Sequence, residues 1–144
     1  MKIDITGHSL RITNDEITHA AIFYANRLLT PNIINKIHLE INIRKMQQNI
    51  YGYCEWMDNS YRPKEFLITL SKRLSHKNLL IFLAHEMVHV RQYATNQLFD
   101  YISGNVRFCN QRYDTDNIDY FSSPWEIEAF DMQEKLYQEY LKDS

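Results

Sequence analysis

Residues 82–93, FLAHEMVHVRQY, place His85, Glu86 and His89 in a run that is otherwise apolar on nearly every side. Such a run reads as a helix that the rest of the chain must bury, so the fold has to be arranged around it. Burying polar side chains without partners costs several kcal/mol, and a metal ion is the partner that suits this set. His85 and His89 are four residues apart, so on a helix both rings project from one face and can share one ion. Glu86 lies about 100° round from His85, where it reaches a water beside the metal without ligating the metal. This is the spacing that HExxH chemistry needs. A zinc ion lowers the pKa of its bound water to about 7, and the glutamate takes the proton as the water attacks a carbonyl, then passes it to the leaving amine.

The flanking patterns predict an α+β domain occupying 1–144 as one unit, since 144 residues suffice to bury a core without staples. Three glycines and three prolines are the only strong punctuation, with no repeat or linker. The segment KIDITGHSLRIT alternates weakly and predicts a short strand or hairpin. A first helix follows from a capping signal at Asn14/Asp15, with Ile17, Ala21, Tyr24 and Leu28 at helical spacing, and ends at Pro31. KIHLEINIRK, IYGYCEWMD and EFLITLSK predict three strands of one sheet, the second with a bulge at Gly52 and a turn, DNSYRP, after it. The HExxH helix spans roughly 75–96 and packs on that sheet. FDYISGNVRF predicts a hairpin turning at 103–105, and RYDTDNIDY a loop. The last helix starts at Ser122 or Ser123 as N-cap with Pro124 at its first position.

A catalytic zinc site keeps three protein ligands and one open position. The other histidines, His8, His19, His38 and His76, all precede the motif, so the third ligand is sought among downstream carboxylates. Glu126 and Glu128 stand in the first turns of the last helix. Glu126 shares a stripe with Ala129, Phe130, Gln133 and Tyr137, which can face an interior; Glu128 shares one with Asp131, Lys135 and Glu139, which looks solvated. Glu126 is therefore the preferred ligand and Glu128 the alternative. Either also suits a helix start simply as an acid facing the dipole. Gln92, Tyr93 and Asn96 continue the histidine face and are candidates for groups that orient the ligands or line a cleft.

HEMVHVRQY followed by SPWEIEAF resembles the small zinc metallopeptidases of the gluzincin type, including minigluzincins and the SprT-like proteins often carried by phages and bacteria. The resemblance covers the order of elements over most of the chain, but its sharp motifs occupy only 85–93 and 124–130. It implies a zincin-like domain with His85, His89 and Glu126 on zinc and Glu86 as general base in peptide-bond hydrolysis. It also implies a cleft between the HExxH helix and the edge strand of the sheet, here YGYCEWMD, onto which an extended protein or peptide substrate would pair. A transition-state donor would stand just before the last helix, with Tyr113 and Tyr120 as candidates. The chain departs from the gluzincin E-x-x-A-D pattern at Phe130, where the aspartate that orients a ligand histidine would stand; Asp131 is the nearest substitute. The third histidine and zinc ribbon of SprT proteins proper are not visible.

Other classes are disfavoured. The net charge of −2 gives no overall pull toward nucleic acid or an anionic membrane. NVRFCNQRY interleaves Arg107 and Arg112 with Phe108 and Tyr113 as a thin single-strand-binding footprint, with Asp114, Asp116 and Asp119 close behind. Cys54 and Cys109, in no paired spacing, read as reduced core thiols. No apolar run approaches a membrane span or a signal peptide, so a soluble cytoplasmic protein is expected. The competing readings are a catalytically inactive zincin-fold binding or scaffold protein and a nucleic-acid-associated protease.

Overall fold

The computed structural model describes residues 1–58 and 60–143. In chain order the elements are β1 (Lys2–Thr6), α1 (Asn14–Leu28), the short α2 (Pro31–Ile34), β2 (His38–Arg44), β3 (Gly52–Trp56), β4 (Glu65–Ser71), α3 (His76–Ala94), β5 (Leu98–Asp100), β6 (Asn105–Phe108), β7 (Gln111–Asp114) and α4 (Pro124–Asp143). Two 3-10 turns, Thr115–Asn117 and Tyr120–Ser122, lead into α4. This is the expected α+β architecture, with a mixed four-stranded sheet ordered β1-β2-β4-β3. β1, β2 and β4 run parallel, and β3 lies antiparallel along β4 at the edge.

The sheet is apolar on one face because its alternations are in phase across the strands. Ile5, Ile41, Ile68 and Cys54 form one row across it, and Ile3, Leu39, Phe66 and Trp56 another. Leu39, Ile41, Phe66 and Ile68 are buried completely or nearly so, while Glu40 and Arg44 of β2 stay exposed. A half-buried sheet of this kind needs a helical layer on one face only. α3 supplies it: Leu79, Leu80, Leu83, Ala84, Met87, Val88 and Val90 are all fully buried, in one core with α1 and α4. Tyr24 of α1 donates its hydroxyl to the Leu80 carbonyl at 2.9 Å, so this buried hydroxyl is satisfied where α1 crosses α3.

Several local expectations are corrected. The first helix is capped by Thr13, whose hydroxyl accepts from the Glu16 N–H, rather than by Asn14 or Asp15. Of the strand or hairpin expected of KIDITGHSLRIT, the strand forms, as β1 paired to β2. Pro31 opens α2 at its first turn, where its missing N–H costs nothing, while α1 already stops at Leu28. The β3–β4 register runs unbroken through Gly52↔Leu70, so Gly52 marks a crowded spot and not a bulge. A Cβ there would stand 2.8 Å from Leu70 Cδ2 and 2.9 Å from the Thr69 carbonyl. The hairpin β5–β6 forms as expected, but Gln111–Asp114, overlapping the start of the predicted loop, adds β7 to it. Ser123 takes the N–H groups of Glu126 and Ile127 on its carbonyl, and spends its hydroxyl on the Asp119 carbonyl. Cys54 is half-buried and Cys109 exposed in a left-handed turn (φ 53°), so Cys109 is not a core thiol.

The phase of the β3–β4 ladder decides what the sheet edge offers. Ser71 N–H bonds to the Tyr51 carbonyl and Met57 N–H to the Glu65 carbonyl, so alternate residues Tyr53 and Glu55 also face β4. Gly52, Cys54 and Trp56 therefore turn their backbone N–H and C=O groups outward, and among the described residues no strand pairs with them. At the end of β3, Trp56 Nε1 donates to Asp100 Oδ2 (3.2 Å), which also accepts from the Tyr93 hydroxyl (3.0 Å). That shared carboxylate ties the small β5–β7 sheet to the end of the edge strand. Because Ile68 sits fully buried in the middle of the apolar row, Ile68→Ala should lower the unfolding free energy by about 2–5 kcal/mol in urea titration; a loss under ~1 kcal/mol would contradict this packing.

Candidate metal centre

The buried face of α3 that turns away from the sheet meets the first turns of α4, and the polar residues of the motif gather at this contact. Glu126 Oε1 stands 3.0 Å from His85 Nε2 and 3.1 Å from His89 Nε2, and all three residues are buried. Their ligating atoms lie within 4.8 Å of one another, the only such His/Cys/Asp/Glu group among the described residues. Tetrahedral zinc, with bonds of about 2.0–2.1 Å, spaces its donors roughly 3.3–3.4 Å apart, so a small opening of this cluster admits an ion. The donor set itself fits: two imidazoles and one carboxylate, with room left for a fourth ligand.

The outer nitrogens of both rings are held. Gln92 donates through Nε2 to the Trp125 carbonyl and to Glu128 Oε1, each at 3.0 Å. Both partners only accept, so the amide orientation is fixed and Gln92 Oε1 must take a proton from His89 Nδ1, at 2.7 Å. Gln133 Oε1 stands 2.9 Å from His85 Nδ1, where it can accept the proton of that nitrogen. Without metal the His89 Nε2–H can donate to Glu126; on metal binding that proton would leave, and a proton kept on Nδ1 would turn the Nε2 lone pair inward, the tautomer a metal ligand needs.

The structure gives the two glutamates different places. Glu126 enters the cluster and Glu128 does not; Glu128 holds Gln92 and accepts from Arg91 Nη2 at 3.1 Å, acting on His89 only through Gln92. Asp131 is exposed, and the orienting role it was assigned falls to Gln133, seven residues after Glu126 on the same stripe. Phe130, the departure from the gluzincin pattern, packs its ring on His85 with centroids 4.7 Å apart. Tyr93 lines the cleft near His89. Asn96 points elsewhere and accepts from Arg107.

Charge follows the geometry. Burial alone would push the His89 imidazole down, but the hydrogen bond to Glu126 and the charges of Glu86 and Glu126 outweigh it and lift it to about 9. Burial would likewise raise Glu126, yet the hydrogen bonds from both rings bring it down to about 2. Glu86 is raised, first by burial and despite the neighbouring imidazoles. Its Oε2 is buried with no hydrogen-bond partner among the described residues. Glu86 lines a cleft together with Gly52 and Tyr120. The Tyr120 hydroxyl is pushed up by burial and then by the charge of the nearby Glu126 carboxylate. Of the two tyrosines considered, only Tyr120 reaches the cluster; Tyr113 packs against Trp125.

The thin nucleic-acid footprint does not assemble as read. Val106 and Phe108 turn to the inside of the small sheet with Tyr113, while Arg107 and Arg112 lie over Phe99 and Tyr101. No described helix is long and apolar enough to cross a membrane. No family model, curated protein or solved structure matches the chain.

Zinc content distinguishes the two glutamates. Zinc-loaded wild type and Glu128→Ala should each retain about one zinc per chain by elemental analysis, and Glu126→Ala should lose it; the reverse pattern would overturn the cluster as described. Without metal, the Glu126 contacts make a pH signature. The raised His89 contributes stability that is full below pH 6.5 and lost as pH rises through about 9; the lowered Glu126 contributes stability that is full above pH 4.5 and lost as pH falls through about 2. With chelator present, wild type should exceed Glu126→Gln by about 2 kcal/mol between pH 4.5 and 6.5, shrinking on both sides. A difference that is flat with pH in urea unfolding would refute the pairing.

Proposed function

We propose that the protein is a zinc-dependent metallopeptidase of the gluzincin type, in which His85, His89 and Glu126 hold the ion and Glu86 is the general base. The observation that carries this reading is Glu86 Oε2, buried and unpartnered, beside a buried His-His-Glu cluster in an open cleft. An orphaned carboxylate oxygen of this kind is costly unless a water or substrate group completes it. A zinc ion bound at the cluster supplies a Lewis acid that polarises a carbonyl and acidifies a water.

The chain's own residues supply the rest. Glu86 takes the proton of the attacking water and gives it to the departing amine; burial, which raises its pKa, strengthens it as a base. Gln92 and Gln133 keep both imidazoles in the ligating tautomer. Tyr120, on the cleft wall beside Glu126, would donate to the oxyanion that forms on the attacked carbonyl. The outward N–H and C=O groups of Gly52, Cys54 and Trp56 offer an extended protein or peptide substrate a strand to pair with, fixing its backbone beside Glu86 whatever its sequence. The competing reading is a zinc-holding binding module with the same groove and no turnover.

A peptide library incubated with zinc-loaded protein separates the two. Wild type should cleave it, and Glu86→Gln should keep its zinc while losing roughly 10²–10⁴-fold in rate. Equal rates in the two proteins would refute the role of Glu86, and zinc-loaded wild type that binds peptides without cleaving them would favour the binding module.

A further inference from the structure

The cleft beside Glu86 is unequal on its two sides. Toward His89 and Glu126 it is a polar recess of about 270 Å³ that includes the Cys54 thiol. Toward His85 it widens into a lobe of about 530 Å³, within the roughly 300–1,000 Å³ range of small-ligand sites. The walls of the larger lobe are two aromatic pairs from different parts of the fold. Tyr51, just before β3, stacks on Phe82 of α3 with centroids 5.3 Å apart and planes 4° from parallel. Phe121 stacks on Phe130 of α4 at 5.8 Å and 30°. Apart from His85 and Glu86, no ionisable group other than the tyrosine hydroxyls lines it among the described residues.

Two features tie this lobe to substrate. Gly52, whose backbone groups face outward along the edge strand, lines it, so a peptide paired on β3 passes its mouth. The rim also leaves large rings in water: Phe121 is 67% exposed and Tyr51 48%. Exposing such rings beside an apolar hollow has a cost that an entering apolar group would relieve.

Resting on the peptidase reading, we infer that this lobe is the specificity pocket, and that it takes a large apolar side chain, aromatic before aliphatic, from the residue next to the cleaved bond. Ring faces and edges on both walls favour a planar guest beyond the area it buries. A basic side chain would be desolvated among rings with Glu86 as the sole carboxylate in reach, and an acidic one would be repelled by that same group. Phe130 gains a reason here: the residue standing where the family pattern has an aspartate builds the lobe's wall, and Gln133 takes over the histidine.

The test is a nuclear magnetic resonance titration of zinc-loaded protein with the N-acetyl amides of phenylalanine, leucine, alanine, lysine and glutamate, which reads binding apart from turnover. Phenylalanine should bind roughly ten-fold or more tighter than alanine, lysine or glutamate, with leucine between. Phe121→Ser and Tyr51→Ser, both at exposed rim positions, should each cut that preference several-fold while zinc content stays unchanged. Equal binding of all the amides, a preference for lysine or glutamate, or a phenylalanine preference that survives both substitutions would overturn the inference. A parallel digest of a peptide library keeps the two claims apart. Cleavage with no preference for large apolar neighbours sinks the pocket and leaves the peptidase, while aromatic binding without any cleavage sinks the peptidase and leaves the pocket.

Discussion

One carboxylate oxygen holds the centre of this molecule together. Glu126 Oε1 meets the inner nitrogens of His85 and His89 at a largely buried point on the cleft, and it joins α4 to α3 there. Two imidazoles and a carboxylate in such a place are expensive to desolvate. Each is therefore satisfied on every side that protein can satisfy: Gln133 and Gln92 on the outer nitrogens, Trp125 and Glu128 behind Gln92. The arrangement leaves its charge concentrated at one shared point, which is where a cation belongs.

The remainder of the fold serves to place that point against a strand. The in-phase apolar rows of β1, β2 and β4 give α3 a face to lie on, and the antiparallel pairing of β3 to β4 brings Gly52 and Cys54 alongside Glu86. Crowding at Gly52 by Leu70 and Thr69 forbids a side chain there, so the edge strand approaches the helix closely at that position. The tie from Trp56 through Asp100 to Tyr93 closes the other end of the strand. Strands and helices carry the cluster and Glu86, while Tyr51 before β3 and Tyr120 and Phe121 before α4 come from irregular segments.

Much of this was legible in the chain. The HExxH spacing, the strict alternation of KIHLEINIRK and the Pro124 start of the last helix encode local geometry directly, and each appears in the structure where the pattern puts it. The choice of Glu126 over Glu128 followed from asking which helical stripe can face an interior, and the cluster bears it out as the glutamate that meets the histidines. What was not legible depended on contacts between distant segments. Gln133 shares the Glu126 stripe, but only the crossing of α3 and α4 brings it within 2.9 Å of His85. The RYD segment lacks a strand's alternation of apolar residues; it is a strand because β6 offers it an edge. Thr13 outcompeted Asn14 for the cap because one residue's shift in phase decides which side chain reaches the Glu16 N–H, and composition does not fix that phase.

The measurement that bears most directly on this account is X-ray absorption at the zinc edge on the metal-loaded protein. Two histidines and a carboxylate should give nitrogen and oxygen neighbours at about 2.0–2.1 Å with the outer-shell scattering of two imidazole rings, and no sulfur near about 2.3 Å. Failure to take up zinc would return the cluster to a buried ion pair, and a sulfur neighbour would mean that Cys54, across the same cleft, is a ligand in place of the assigned set.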